Sequence, residues 1–99
     1  MRKIKFRGAT KSGQVVYGDY TTVHTIDGEV REHYITTYPS YTSSSRTYRV
    51  KGNSVSQLIS ADKNGEEVYE GDEITDGLVN VKATFADYAA LVGGEFVHA

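Results

Sequence analysis

An Asp-Gly pair at positions 27 and 28 does most to limit what this chain can fold into. A two-residue Asp-Gly turn matches the right-handed twist of flanking strands, so it predicts a hairpin. It would pair Ile26 with Glu29, His24 with Arg31 and Thr22 with His33. One face of that hairpin carries Val23, Val30 and Tyr34. The other carries Ile26 and Ile35 with both histidines and Arg31. Neither face is cleanly apolar, so the pattern leaves open which one looks at the core. Similar punctuation recurs along the chain. Asp62-Lys63-Asn64-Gly65 reads as a second hairpin turn, with Asn64-Gly65 at the two positive-φ positions of a type I′ turn. Glu70-Gly71-Asp72 and Asp76-Gly77 are further breaks. Ten glycines stand against one proline, a profile that favours short strands joined by glycine turns. Eight tyrosines and no tryptophan suit half-buried strand surface, where the ring packs and the hydroxyl reaches water.

Between the turns, period-two alternation dominates. Ile4 and Phe6 oppose Lys3, Lys5 and Arg7, which gives a first strand over Arg2–Arg7 with a basic outer face. Thr10–Gly13 turns it into a second strand over Gln14–Tyr20. Tyr38–Thr47, with the proline and a serine triplet, lacks aliphatic surface and reads as a long loop. Tyr48–Val50 resumes a strand before a Gly52-Asn53 turn. Val55–Ser60 is a short apolar segment, and Glu66–Tyr69 and Glu73–Thr75 are strands. The final segment fits two templates. Val79, Val81, Ala83 and Phe85 alternate as a strand, the preferred reading. Phe85, Tyr88, Ala89 and Val92 fall at helical spacing, with Thr84 and Asp87 placed for a capping box and Gly93 as a stop. Glu95–Val97 closes as a last strand. The expectation is a mainly β fold, a small antiparallel barrel or strongly bent sheet (SH3-like by analogy), with at most one short helix near residues 85–92. Ninety-nine residues read as one domain, 1–99.

Several function classes are excluded early. No cysteine is present, which removes disulfide staples and thiolate metal sites. No apolar run is long enough for a transmembrane helix, and the opening MRKIKFRGA lacks a signal peptide's apolar stretch, so a cytoplasmic location is expected. Net charge is −2, but unevenly spread. Residues 1–11 sum to +5 and residues 62–76 to −6. Solvation of both segments is the simpler reading; attraction between subunits, or nucleic acid at the basic start, are the sharper ones.

The block QLISADKNGEEVYEGDEIT, residues 57–75, is the most specific motif. Together with the basic alternating start Met1–Arg7 and with Val16-Tyr17-Gly18, it resembles the YopX family, small proteins of phages and prophages. Ser60-Ala61 stand where that family usually carries a glycine-rich turn. The resemblance implies a mainly β fold, a phage or prophage origin and a site of action in the cytoplasm of a bacterial host. It carries over no catalytic residue. Within the motif, Asn64, Gly65 and Gly71 are turn residues, and Val68, Tyr69 and Ile74 are core or half-core. Glu70 belongs to the turn, and Asp72 can accept backbone N–H bonds and fix it. This signature (Asn64, Gly65, Tyr69, Glu70, Gly71, Asp72) is read as structural before it is read as a ligand surface.

Chemistry-bearing constellations are few. The acids at 62, 66, 70 and 73, with Asn64, imitate the spacing of a calcium loop, but Glu67 occupies the position that needs glycine. His24 and His33 with Glu29 could begin a metal site, but satisfied surface or core histidines are the better reading; His98 is expected to be exposed. No nucleophile elbow or phosphate loop is present, so no enzyme, cofactor or metal is expected. Tyr38, Tyr41, Arg46, Tyr48, Arg49 and Lys51 interleave aromatics with cations, a pattern that serves nucleic acid or a protein interface. The reading is a non-enzymatic binding or assembly module that forms homo-oligomers and meets a host or phage protein, without membrane contact. Nucleic-acid binding through residues 38–51 and the basic first strand is the alternative.

Overall fold

A computed structural model describes residues 4–38 and 44–99. Tyr41, the serine at position 43, and Arg2 and Lys3 of the basic start lie outside the described residues. The structure is mainly β, with 48% strand, antiparallel sheets and one helical stretch of 8 residues; among the described residues no barrel closes. No described helix is long and apolar enough to cross a membrane. The chain divides into two compact units, Ile4–Val55 and Ser56–Ala99.

In Ile4–Val55 the strands are β1 (Phe6–Ala9), β2 (Val15–His24), β3 (Val30–Thr37) and β4 (Arg46–Val50). They lie in the order β4-β3-β2-β1, each antiparallel to its neighbour. The register settles which hairpin face is inside. Tyr20 pairs with Ile35 and Ile35 with Tyr48, which puts Ile35 and His33 on the inner face and Tyr34 on the outer one. Ile35 is fully buried and packs with Val16 and Val50; Phe6, Tyr20, Tyr48 and Val55 close around them. Burial of each such aliphatic side chain contributes about 1.5–3 kcal/mol. The sheet is strongly bent, because the outermost strands of this order meet at one end. Lys51 N–H donates to the Ala9 carbonyl (2.9 Å), Ala9 N–H donates to Ser54 Oγ (2.9 Å), and Gly8 lies so close to Val50 that an added Cβ would sit 3.1 Å from it. A 3-10 turn over Gly52–Ser54 holds this corner.

The turns differ in type from the two-residue turns the dipeptides predict. Thr10, Thr25 and Asp62 each begin the same five-residue device. The carbonyl of the first residue accepts from the glycine three positions on: Gly13 (2.9 Å), Gly28 (3.0 Å) and Gly65 (3.0 Å). The first residue's N–H reaches the carbonyl four positions on, at Gln14, Glu29 and Glu66. Its side-chain oxygen accepts the N–H of that same residue, at 3.2, 3.1 and 3.0 Å. Only the glycines take positive φ (92°, 89° and 82°); Asn64 does not, so the turn at 62–66 is not type I′. This is a tight turn followed by a glycine bulge, and the side-chain acceptor at its first position selects it. At the second of these turns it shifts the register. Thr22 pairs with His33 as expected, but His24 pairs with Val30 rather than Arg31, with an irregularity after Val23.

In Ser56–Ala99, β5 (Ser56–Ala61) and β6 (Glu67–Tyr69) form a hairpin; β7 (Glu73–Thr75) lies between β8 (Asn80–Lys82) and β9 (Val97–His98). Beyond β8 the strand pattern yields at Ala83. The Thr84/Asp87 capping box is formed, with Thr84 N–H donating to Asp87 Oδ2 (2.9 Å) and Ala86 N–H to Thr84 Oγ1 (3.3 Å). A 3-10 turn, Phe85–Asp87, then runs into α1 (Tyr88–Val92). The preferred strand reading through Phe85 is therefore replaced by the helical one, since satisfying the orphan N–H groups at the helix start fixes Thr84 as its cap. Leu91 drops from α1 into a buried cluster with Ile59, Val68, Ile74 and Ala83, flanked by Phe85 and Phe96.

Candidate functional site

The described residues of Ile4–Val55 enclose a half-open recess of about 440 Å³. Arg31 and His33 come from β3, Arg49 from β4, Lys51 and Gly52 from the corner after β4, and Lys11 from the turn between β1 and β2. Lys11 reaches this place because Lys51 N–H and Ser54 Oγ hold the end of β1 against the corner. Four cationic residues thus line it beside one acidic residue, Glu32. That carboxylate is already engaged: the Tyr34 hydroxyl donates to its Oε2, and Arg49 Nη1 lies 4.0 Å from its Oε1. Bonding to Glu32 raises the Tyr34 hydroxyl above its ordinary pKa. Among the described residues, Lys11, Arg31 and Lys51 have no carboxylate at ion-pair distance.

His33 is held rather than loose. Its Nδ1 lies 2.6 Å from the Tyr20 hydroxyl, and the two rings lie parallel with centroids 5.9 Å apart. Tyr20 is itself packed on Phe6, at 5.3 Å between centroids. Gly52 explains the other side of the ring. A Cβ there would sit 2.4 Å from His33 Nε2. Gly52 does not take a positive φ, so its missing side chain supplies room for the imidazole rather than backbone freedom.

The tyrosine- and arginine-rich stretch is only partly in this site. Arg49 and Lys51 line the recess. Tyr48 packs its ring on the Val16–Ile35–Val50 cluster, so it is not a free stacking platform. Arg46 is exposed on β4, Tyr38 is exposed beyond the end of β3, and Tyr41 lies outside the described residues. Sequence reasoning missed Lys11 and Arg31 as members of the site, and read His33 as a satisfied histidine or the start of a metal site, not as part of a cationic recess. The one usable signal was the Thr22–His33 register. His24 is exposed, and its Nε2 lies 3.5 Å from Thr22 Oγ1; among the described residues no group of three His, Cys, Asp or Glu side chains could hold a metal ion.

The signature residues lie in Ser56–Ala99 and are engaged in holding backbone. Asn64 and Gly65 form the turn between β5 and β6. Tyr69 is buried, and its hydroxyl donates to Glu67 Oε1 (3.0 Å). Gly71 takes φ 90°, and its N–H donates to the Ala83 carbonyl (2.8 Å). Asp72 Oδ2 accepts Tyr69 N–H (2.9 Å) across the turn, leaving Glu70 exposed. Asp62 is 6% exposed. Burial would raise its pKa, but N–H donors from His98, Glu66 and Asn64 outweigh that and hold the carboxyl below its ordinary value. This consumption of Asp62 is why the calcium-like spacing makes no ligand loop. His98 is half-buried rather than exposed: its N–H donates to Asp62 Oδ2 (2.9 Å), and its Nε2 lies 3.4 Å from Asp72 Oδ2. One residue of β9 thereby ties together both aspartates of the motif. No protein-family model, curated protein or solved structure matches the chain.

Proposed function

We propose that this chain is a phage- or prophage-encoded, non-enzymatic binding or assembly module that acts in the cytoplasm of a bacterial host, with the recess of Ile4–Val55 as its contact site. The observation that carries the reading is the charge balance there, four cations around one carboxylate that Tyr34 and Arg49 already hold. Such a recess favours an anionic group on the partner and steers its approach. Origin and compartment rest on the YopX resemblance of residues 57–75. Self-association is supported by β4, which ends its side of the strand order and presents an edge to a second copy. Nucleic acid as the partner is a second reading, favoured by Arg49 and Lys51, which belong both to the Tyr/Arg stretch and to the recess.

The test uses the tagged full chain as bait in bacterial lysate, with and without nuclease, beside an Arg31→Glu/Lys51→Glu variant. Light scattering gives the mass of each bait. The expected result is an oligomer that retains a stoichiometric partner, lost from the variant. A monomer, or a partner that the variant retains equally well, contradicts the proposal.

A further inference from the structure

We propose that the recess is a phosphate site, in which Arg31, Lys11, Lys51 and the Nε2 of His33 receive a phosphate of a nucleotide strand, with Arg49, held on Glu32, at its rim. The proposal rests on the reading of the recess as the contact site and adds its ligand chemistry. Three features separate phosphate from a bare excess of charge.

The first is the mix of donors. The Arg31 guanidinium offers planar, paired N–H donors that match phosphate oxygens, and the Lys11 and Lys51 ammonium groups offer point charges around it. The second is His33. When the Tyr20 hydroxyl donates to Nδ1, Nε2 carries the ring proton, and among the described residues that atom has no hydrogen-bond partner. Its position is fixed by Tyr20 on one side and by the bare Cα of Gly52 on the other, so the donor is placed before a ligand arrives. The third is the engagement of Glu32, the only carboxylate in the lining among the described residues, by Tyr34 and Arg49. That pairing limits repulsion of a second anion and holds Arg49 beside the recess.

The volume, about 440 Å³, exceeds one phosphate and leaves room for the attached sugar. Among the described residues no Tyr or Phe lines it, and the His33 ring is already stacked on Tyr20, so base stacking is not what the recess offers. Binding is therefore expected to be indifferent to base identity and strongly dependent on salt. For a strand placing three phosphates against the cations, affinity falls about 20-fold between 50 and 200 mM salt.

The experiment is fluorescence anisotropy of the full chain with a labelled twelve-residue oligothymidylate. Inorganic phosphate, a nucleoside monophosphate and a decamer of glutamate serve as competitors. Variants are Arg31→Gln/Lys51→Gln within the recess, Arg46→Gln on β4 outside it, and Gly52→Val, each checked for folding by circular dichroism. The expected results are binding with that salt slope, displacement by phosphate and the monophosphate, and affinity at least about tenfold lower for the double variant. Arg46→Gln should stay within about twofold, and Gly52→Val, folded but with the imidazole displaced, should bind several-fold more weakly. Displacement by the nucleoside monophosphate far below the phosphate concentration required would assign the site to free nucleotides and overturn the strand as ligand. Displacement by the glutamate decamer in preference to phosphate would overturn the phosphate chemistry while leaving the binding-module reading intact. Loss of binding in Arg46→Gln but not in the double variant would overturn the location. Failure of every anion to bind would remove both the phosphate site and the recess as contact site.

Discussion

Replacing Asp62 tests whether the 57–75 motif is a backbone clamp. Its carboxylate accepts three N–H groups, from Asn64 (2.8 Å), Glu66 (3.0 Å) and His98 (2.9 Å), while being 6% exposed. Bonds to a charged acceptor contribute more than neutral ones, about 1.5–3 kcal/mol each, but water can rejoin the two turn donors when the acceptor goes. The His98 bond is the one that water replaces least well, because it joins β9 to the start of the hairpin. Asp62→Ala should therefore cost about 3 kcal/mol. Asp62→Asn should cost about 2 kcal/mol, since its amide oxygen can serve the turn while its NH2 group faces a donor. For a chain of this size, each kcal/mol lowers Tm by roughly 4–8 °C, so the alanine variant should melt roughly 12–24 °C lower at pH 7. The pH dependence follows from the depressed carboxyl. The stabilisation is fully present above the unfolded-chain value of about 3.9, and is lost as pH falls through the lower folded value. The gap between wild type and Asp62→Asn should accordingly close on acidification. Thermal melts by circular dichroism at pH 7 and at steps down to pH 2.5 measure it. A gap under about 0.5 kcal/mol at pH 7, or one that does not narrow in acid, would refute the clamp.

Two further substitutions probe local statements. Gly18→Ala places a Cβ 1.9 Å from the Thr36 carbonyl oxygen, so β2 and β3 must separate; denaturant titration should show a loss of at least about 2 kcal/mol. Thr84→Ala removes the cap oxygen that Ala86 N–H uses, and should cost about 1 kcal/mol by the same titration, with hydrogen exchange faster over Phe85–Val92 than elsewhere.

What could be read from the sequence, and what could not, divides along physical lines. Alternation and glycine placement located most strands, because both act locally, but β1 covers Phe6–Ala9 rather than Arg2–Arg7 and β4 begins at Arg46, inside the expected Tyr38–Thr47 loop. Turn type was misread at 27–28 and 64–65, where the dipeptide draws attention but the oxygen of Thr25 or Asp62 decides. The Thr84/Asp87 pair was visible, yet the strand and helix patterns overlap at Phe85, and the formed capping box with the burial of Leu91 decides for the helix. In the recess, Arg49 and Lys51 were legible as part of a cationic stretch. Lys11 and Arg31 were not, since they arrive from the β1–β2 turn and from β3 once the sheet bends. Gly52 read simply as a turn residue. Its role beside His33 depends on a contact between β3 and the corner after β4, which no local pattern encodes.

The most direct test of the recess as an anion site is amide chemical-shift mapping of the full chain titrated with inorganic phosphate. The account predicts saturable shifts concentrated at Lys11, Arg31, His33, Lys51 and Gly52, with Arg46 and the 57–75 motif unmoved. Shifts spread evenly over exposed lysines and arginines, or centred outside Ile4–Val55, would contradict it.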